Sequence, residues 1–195
     1  MPMAGTDTRT MLLDLAERLT RQRGYNAFSF RDLSERVGVT TASIHYHFPT
    51  KAELGRQVMK RYRERFVAAL SALNPADRPA RSAREVVTDF CGLFESSLRR
   101  GGACLCAPLA SEYASLPDEV QVEVRNFYDD AEGWLAAVLE RGRRAGELKF
   151  DGASLAVARA IVAMIEGAMI AATAMNDEGR LRQAIQWALS SIGAK

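Results

Sequence analysis

The chain has 195 residues, of which 48% are hydrophobic and 26% charged; this excludes an intrinsically disordered protein and allows one or two domains with a buried core. The formal net charge of +2 is unevenly distributed, since residues 1–63 carry 11 Lys and Arg against 6 Asp and Glu and the remaining residues carry 15 against 18. A basic N-terminal third is typical of a nucleic-acid-binding segment joined to a different part.

Helical periodicity runs through nearly the whole chain, and no segment alternates convincingly as a strand does. The sequence therefore predicts an all-α fold of about nine helices. Serine, threonine and proline residues that favour helix starts, and glycines that favour helix ends, indicate the boundaries. The predicted helices cover approximately residues 7–24, 29–38, 41–47, 50–73, 82–100, 103–113, 117–145, 153–175 and, after a turn at 176–179, the last amphipathic segment. The proline-containing segment 74–79 is the clearest break.

Residues 24–54 have the layout of a helix-turn-helix. Two short predicted helices meet at Val37-Gly38-Val39, where the glycine allows a tight turn that sets one helix across the other. Leu33 and Ile44 are among the apolar residues expected to pack these helices on the first one. The second short helix, residues 41–47, would thereby be held as a rigid recognition helix.

The N-terminus of this recognition helix carries small residues that would let its backbone approach base edges. Ala42 is suited to contact a thymine methyl, and Thr41 and Ser43 can donate or accept hydrogen bonds. Arg31, near the start of the preceding helix, could reach a phosphate or a guanine.

Other side chains of the same segment are placed for phosphates, where they would fix the register without reading the sequence. His45, Tyr46 and Lys51 are the main candidates. The alternative, a three-helix cap without DNA contact, does not easily explain these residues on an outward face. The predicted DNA-binding residues are Ser29, Arg31, Thr40, Thr41, Ala42, Ser43, His45, Tyr46, His47 and Lys51.

The segment strongly resembles the DNA-binding domain of TetR-family regulators. His45 departs from the family pattern, because most members carry Tyr there. The resemblance implies a DNA-binding domain over residues 1–54, linked by a long helix at 51–73, and a homodimer that reads a palindromic operator, usually as a repressor. The residues that carry it are Gly24, Tyr25, Ser29, Asp32, Leu33, Gly38, Val39, Thr40, Ile44, Tyr46, His47, Phe48, Lys51 and Leu54.

By the same resemblance, residues 55–195 would sense a small-molecule effector and form the dimer interface through the last two helices. Large or adaptable side chains in this part support a roomy apolar interior, although any single one could be ordinary core. The candidate ligand-binding residues are Phe90, Phe94, Cys104, Leu109, Phe127, Trp134, Met164 and Glu166.

Residues 104–112 resemble the C-L-x-x-x-L-[AS]-x-E motif of a TetR subgroup that includes regulators responsive to N-ethylmaleimide and other electrophiles. Cys104 has the position of the subgroup's sensing cysteine, and we expect it in the first turn of a helix near Arg99 and Arg100, where a thiol is activated. The alternative is that Cys104 and Cys106 are small buried hydrophobes. Glu166, alone in an apolar helix, is expected to bond either a ligand donor or an arginine across the dimer.

Other classes of protein are disfavoured by what the chain lacks. The first residues do not read as a signal peptide, and the apolar stretch 160–175 reads as a buried helix rather than a membrane span. The three cysteines form no disulfide framework or zinc spacing, which suits the cytoplasm. Both histidines lie in the DNA-reading segment, so we expect no enzyme, no cofactor and no metal.

Overall fold

The structure is a computed structural model that describes residues 7–73, 81–100 and 103–193. Over these ranges it contains nine α-helices, one 3-10 turn and no strand, which confirms the all-α prediction. The predicted break at 74–79 lies outside the described residues. The helices are α1 (Thr8–Arg23), α2 (Phe30–Val37), α3 (Thr41–His47), α4 (Lys51–Leu73), α5 (Ala83–Arg99), α6 (Cys106–Ser111), α7 (Asp118–Arg144), α8 (Ser154–Met175) and α9 (Gly179–Ser191), with the 3-10 turn at Tyr113–Ser115.

Side-chain caps fix the two short helices of the N-terminal region. The Ser29 hydroxyl accepts a hydrogen bond from the Asp32 N–H, and the Asp32 carboxylate accepts one from the Ser29 N–H. Thr40 caps α3 by accepting from the Ser43 N–H at 3.1 Å. Gly38 ends α2 in the left-handed conformation, at φ +77°. These bonds satisfy N–H groups that a short helix would otherwise leave unpaired.

The helix α6 is shorter than predicted, because it begins at Cys106 rather than near residue 103. Pro108 gives the physical reason. In a helix that began at residue 103, Pro108 would be an interior residue, and its ring would clash with the carbonyl group of Cys104, four residues earlier. In the observed helix Pro108 lies in the first turn, where proline is tolerated. Cys104 therefore lies two residues before α6, and its expected place in a first helical turn is wrong.

The chain divides into two compact units. The first comprises the described residues of Met1–Glu64 together with Leu105–Asn126, and the second those of Arg65–Cys104 and Phe127–Lys195. In the first unit α1 packs against α2, α3 and α6, and in the second α8 packs against α9 and α5. The first unit is thus larger than the predicted domain 1–54, since α6 and the start of α7 belong to it.

The most apolar helix is α8. By length and composition alone it is apolar enough to cross a membrane, but one such helix is weak evidence because core helices share these properties. Ile161, Ile165 and Met169 on one face of α8 are buried within the protein.

Candidate nucleic-acid interface and ligand site

The recognition helix α3 has one edge anchored in the core and one edge in solvent. Ile44 and Phe48 are fully buried. Tyr46, by contrast, is 84% exposed although its ring is large. A short helix held rigidly in this way, with small residues at its start, is suited to a DNA major groove. The exposed edge of α3 consists of Thr41, Ala42, His45 and Tyr46.

His45 is already engaged by the protein through one ring nitrogen. Its Nδ1 lies 3.1 Å from the carbonyl oxygen of Pro49, which can only accept, so Nδ1 donates. The ring also packs edge-on against Phe30, with centroids 4.9 Å apart. In the neutral ring Nε2 is then an acceptor, and His45 can donate to a phosphate only when it is protonated.

Lys51, at the start of α4, is half-buried. Its Nζ lies 4.5 Å from the ring centroid of Tyr25 and 4.7 Å from that of Phe28. Burial lowers the pKa of the Lys51 ammonium, and the nearby Glu112 opposes this shift. The cation–π contacts hold the start of α4 against the segment between α1 and α2.

Several predicted DNA contacts also stabilise the local fold. The hydroxyls of Ser29 and Thr40 cap α2 and α3. The exposed guanidinium of Arg31 donates to Glu35, one turn along α2, at 2.9 Å. His47 is half-buried between the rings of its two neighbours. All ten predicted DNA-binding residues lie in the first unit, between the start of α2 and the start of α4.

Arg9 is a cation beside the recognition helix that the sequence analysis missed. Its guanidinium lies 5.4 Å from the ring centroid of Phe48 and donates to the side chain of Gln57. The sequence offered one indication that Arg9 has a special role, because it lies in the first turn of α1, where the helix dipole disfavours a cation. The open groove of about 340 Å³ between α1 and α4 is lined by Arg9, Leu13, Arg56, Gln57, Lys60, Arg61 and Glu64.

Glu112, the last residue of the cysteine-containing motif, contacts the DNA-reading region, which the sequence analysis did not predict. Its Oε2 accepts from the Asn26 backbone N–H at 3.1 Å and from the Asn26 amide at 3.3 Å. That amide also donates to Ser115 Oγ at 2.8 Å. A Cβ on Gly24 would overlap Glu112 Oε1. The segment after α6 thereby fixes the turn between α1 and α2.

Four of the candidate ligand-binding residues meet in the second unit around Phe66, which the sequence analysis did not single out. The Phe66 ring lies 4.7 Å from Phe127 and 5.9 Å from Phe94, centroid to centroid. Trp134 is half-buried and stacks on Phe90 at 5.7 Å. We call these five side chains, Phe66, Phe90, Phe94, Phe127 and Trp134, the aromatic cluster.

Glu166 and Cys104 approach each other in the same unit. Glu166 is 5% exposed, and neither of its carboxyl oxygens has a hydrogen-bond partner within the protein. Burial, and secondly the Cys104 thiol, raise the pKa of the Glu166 carboxyl well above its usual value. The thiol is therefore close enough to act on the carboxyl, but as a weak donor it is a poor substitute for a full hydrogen-bond partner.

No disulfide joins the three cysteines, all of which lie within the described residues and are buried. Burial raises the pKa of the Cys91 thiol to about 12, so it is protonated at neutral pH. Cys104 is 1% exposed. A reactive thiol is usually accessible and lies at a helix N-terminus. Cys104 has neither feature, because it is buried and α6 begins two residues later.

The remaining two ligand candidates lie apart from the aromatic cluster. Leu109 is buried in α6, which belongs to the first unit. Met164 is half-buried and lines a surface groove of about 420 Å³, together with Phe150 and Trp187. The structure thus places six of the eight candidates in two sets of the second unit: four in the aromatic cluster, and Cys104 with Glu166.

Comparison with known families gives two matches along the chain. The family of bacterial regulatory proteins of the tetR type matches residues 12–58. The family described as the tetracyclin repressor-like C-terminal domain matches residues 79–188, more than half of the chain.

Two solved structures are similar over nearly the full length. A transcriptional regulator of the TetR family from Agrobacterium tumefaciens is 34% identical, with a TM-score of 0.89 over 96% of this chain and 98% of that chain. The reduced form of NemR from E. coli is 23% identical, with a TM-score of 0.85 over 96% of this chain and 98% of its own. At that identity the likeness to NemR shows the fold alone, and the electrophile-responsive subgroup stays a prediction.

Two curated relatives are described as transcriptional repressors, and others as transcriptional regulators. BepR of Brucella suis is 22% identical over 163 residues, which are 83% of this chain and 78% of that protein. KstR2 of Rhodococcus jostii is 33% identical over 52 residues, so that the match spans only 27% of this chain and 26% of that protein.

Proposed function

The chain belongs to the TetR family of DNA-binding transcriptional regulators, and we propose that it is a cytoplasmic repressor that binds a palindromic operator as a homodimer and is released by a small molecule. The observation that supports this most directly is the exposed edge of α3, held by buried Ile44 and Phe48. The residues of this edge are exposed although the helix itself is packed, and their types suit a DNA groove.

In the proposed complex α3 enters the major groove. Ala42 contacts a thymine methyl, Thr41 and Ser43 bond base edges, and Tyr46 bonds a phosphate. Lys51 bonds a second phosphate from its position over the rings of the first unit. The basic charge of residues 1–63 draws the unit towards DNA and makes the affinity fall as salt rises.

The test begins with selection of bound duplexes from a random pool, followed by affinity measurements over a range of salt concentrations. Tyr46→Ala with Lys51→Met should weaken binding to every sequence, and loss of the lysine should reduce the slope of log K against log salt by about 0.9 per protomer, or about 1.8 for the dimer. Thr41→Val should instead change the preferred base. Lys149→Met, which removes an exposed lysine of the second unit, is the matched control and should change neither. An operator affinity unchanged by the double substitution would show that α3 does not bind DNA in the proposed way.

The dimer is proposed to form through α8 and α9. Trp187 on α9 is 65% exposed, and Ile170 and Met175 on α8 are also exposed. Large apolar side chains gathered on two adjacent helices favour burial against a second copy. The resulting two-fold axis would present two recognition helices to a palindrome.

The effector is proposed to bind non-covalently in the second unit, by contacts that involve the aromatic cluster and Glu166. The thiol-sensing alternative predicts selective modification of Cys104 by N-ethylmaleimide with loss of operator binding. The burial of Cys104 disfavours this alternative. Mass spectrometry of protein treated while bound to its operator would distinguish the two.

A further inference from the structure

We propose that the effector is an organic amine or other nitrogen cation, and that Glu166 is the residue that binds its charged group. This inference rests on the proposed function, because it names the chemical class of the small molecule that releases the repressor.

The first step concerns the unused hydrogen-bonding capacity of Glu166. The residue lies in the middle of α8, on the inward face that it shares with buried Val162 and Met169. Neither of its oxygens accepts a hydrogen bond from the protein. Buried polar groups are nearly always paired, since leaving one unpaired costs about 1–3 kcal/mol and more when it is charged. Apart from the Cys104 thiol, which is a weak donor, the described residues thus supply no partner for this carboxyl.

The second step concerns the groups around Glu166. The titratable group that acts on it is the Cys104 thiol, which is not a cation. The arginine nearest in sequence on the same helix, Arg159, bonds Glu132 of α7 at 3.0 Å. An arginine from a second copy would have to reach a side chain that is 5% exposed within one protomer. A small molecule that enters the interior is therefore the better partner.

The third step concerns what a carboxyl in this position selects. An ionised carboxylate only accepts hydrogen bonds, and an ammonium or amidinium offers several donors and the opposite charge. When such a ligand binds, the Glu166 carboxyl releases its proton to solvent and the ligand keeps its own. A neutral or anionic ligand could accept only the single O–H bond of the protonated carboxyl and would gain no opposite charge, so Glu166 favours such ligands less. The helix α5, which carries Phe90 and Phe94, packs against α8, so an aromatic or aliphatic body suits the surroundings.

The experiment compares two probes of the same shape, 2-phenylethylamine and 2-phenylethanol, by isothermal titration calorimetry. Wild-type protein should bind the amine about tenfold or more tightly than the alcohol. Glu166→Gln keeps the size of the side chain but cannot ionise, so it should lose this preference while its affinity for the alcohol changes by less than about twofold. Glu132→Gln, which alters a carboxylate that already has an arginine partner, is the control and should retain the preference.

Equal binding of the two probes to the wild type would overturn the proposal, as would a preference that survives in Glu166→Gln or the absence of binding by either probe at millimolar concentration. The comparison in the wild type holds even if the variant folds poorly. Operator binding by the same preparations separates this inference from the proposed function. A wild type that binds its operator but ignores the amine refutes only the ligand class, whereas a wild type that binds no DNA refutes the function.

Discussion

Gly24 is constrained both by its backbone and by a distant side chain. Its φ is +90°, which L side chains rarely adopt, and the Glu112 carboxylate occupies the space where a Cβ would stand. Gly38 shares the positive φ, at +77°, but has nothing within 4 Å of such a Cβ. The two backbones also differ, since ψ is 165° at Gly24 and 32° at Gly38, so only removal of the Glu112 side chain separates backbone strain from that contact.

We expect Gly38→Ala to lower the free energy of unfolding by about 1 kcal/mol, from backbone strain alone. Gly24→Ala should cost about 1–3 kcal/mol more, because its backbone lies in a region nearly restricted to glycine and because the methyl group displaces Glu112 and breaks its bonds to Asn26. In a Glu112→Ala background the part of this cost that comes from Glu112 should disappear. Urea unfolding of the single and double variants measures these terms. A Gly24→Ala cost that is the same with and without the Glu112 side chain would show that the contact is not formed.

The Glu166 carboxyl should make stability depend on pH in an unusual direction. Its pKa in the folded protein is raised by burial and by Cys104, so the folded state binds a proton that the unfolded chain loses near pH 4.5. Its contribution to stability is fully present below that pH and is lost as the pH rises through the raised pKa. Glu166→Gln has no such loss, so its Tm should rise relative to that of the wild type as the pH increases above 4.5.

Glu140 provides a control, because its contribution to stability should change with pH in the opposite direction. Hydrogen bonds from Ser154 and Arg144 lower its pKa, so its contribution is present above the unfolded pKa and is lost as the pH falls through the lowered one. Glu140→Gln should therefore be destabilising at neutral pH and nearly neutral in acid. A Tm difference for Glu166→Gln that does not vary with pH would mean that Glu166 has an ordinary pKa.

Among the elements, the starts of the helices with a side-chain cap were predictable from the sequence. A cap involves residues three positions apart, so Ser29 with Asp32 and Thr40 with Ser43 could be identified from the sequence. The length of α6 was wrong because the periodicity of apolar residues outweighed Pro108. The exposed edge of α3 was predictable for the same local reason as the caps.

Contacts between distant parts of the chain were not predictable from spacing. Asn26 and Glu112 are 86 residues apart, and Arg9 meets Gln57 across 48 residues. Glu166 could be noticed as a carboxylate in an apolar helix, but that its oxygens lack a protein partner depends on how the second unit packs. The DNA-reading helices were thus predictable from local sequence patterns. The side chains that support them, such as Glu112 and Arg9, could be identified only from the structure.

Two similar caps allow the role of α2 in DNA binding to be tested. Ser29 and Ser82 each form a reciprocal capping box, with Asp32 at α2 and with Glu85 at α5. Ser29→Ala and Ser82→Ala should each lower the free energy of unfolding by about 1 kcal/mol. Only Ser29→Ala should also weaken operator binding, because α2 supports the recognition helix. Equal losses of operator affinity would mean that global stability, rather than α2, sets the affinity.

For the whole molecule, operator recognition requires two recognition helices at a fixed spacing, because the half-sites of a palindrome lie about one helical turn or a multiple apart. A monomer presents one such helix and gains only half of the contacts. The DNA affinity should therefore depend on side chains of α8 and α9 that never approach the DNA.

Trp187→Glu tests this dependence. The indole is 65% exposed in the protomer, so a carboxylate there should leave the fold intact, with a change in the free energy of unfolding of the isolated chain below about 0.5 kcal/mol. Facing a second copy it would bring two like charges together, and the dimer should dissociate in sedimentation velocity, with operator affinity reduced by about 100-fold or more. Val122→Glu, an exposed apolar residue in the other unit, is the control and should remain dimeric. A Trp187→Glu protein that stays dimeric and binds its operator normally would place the two-fold interface elsewhere.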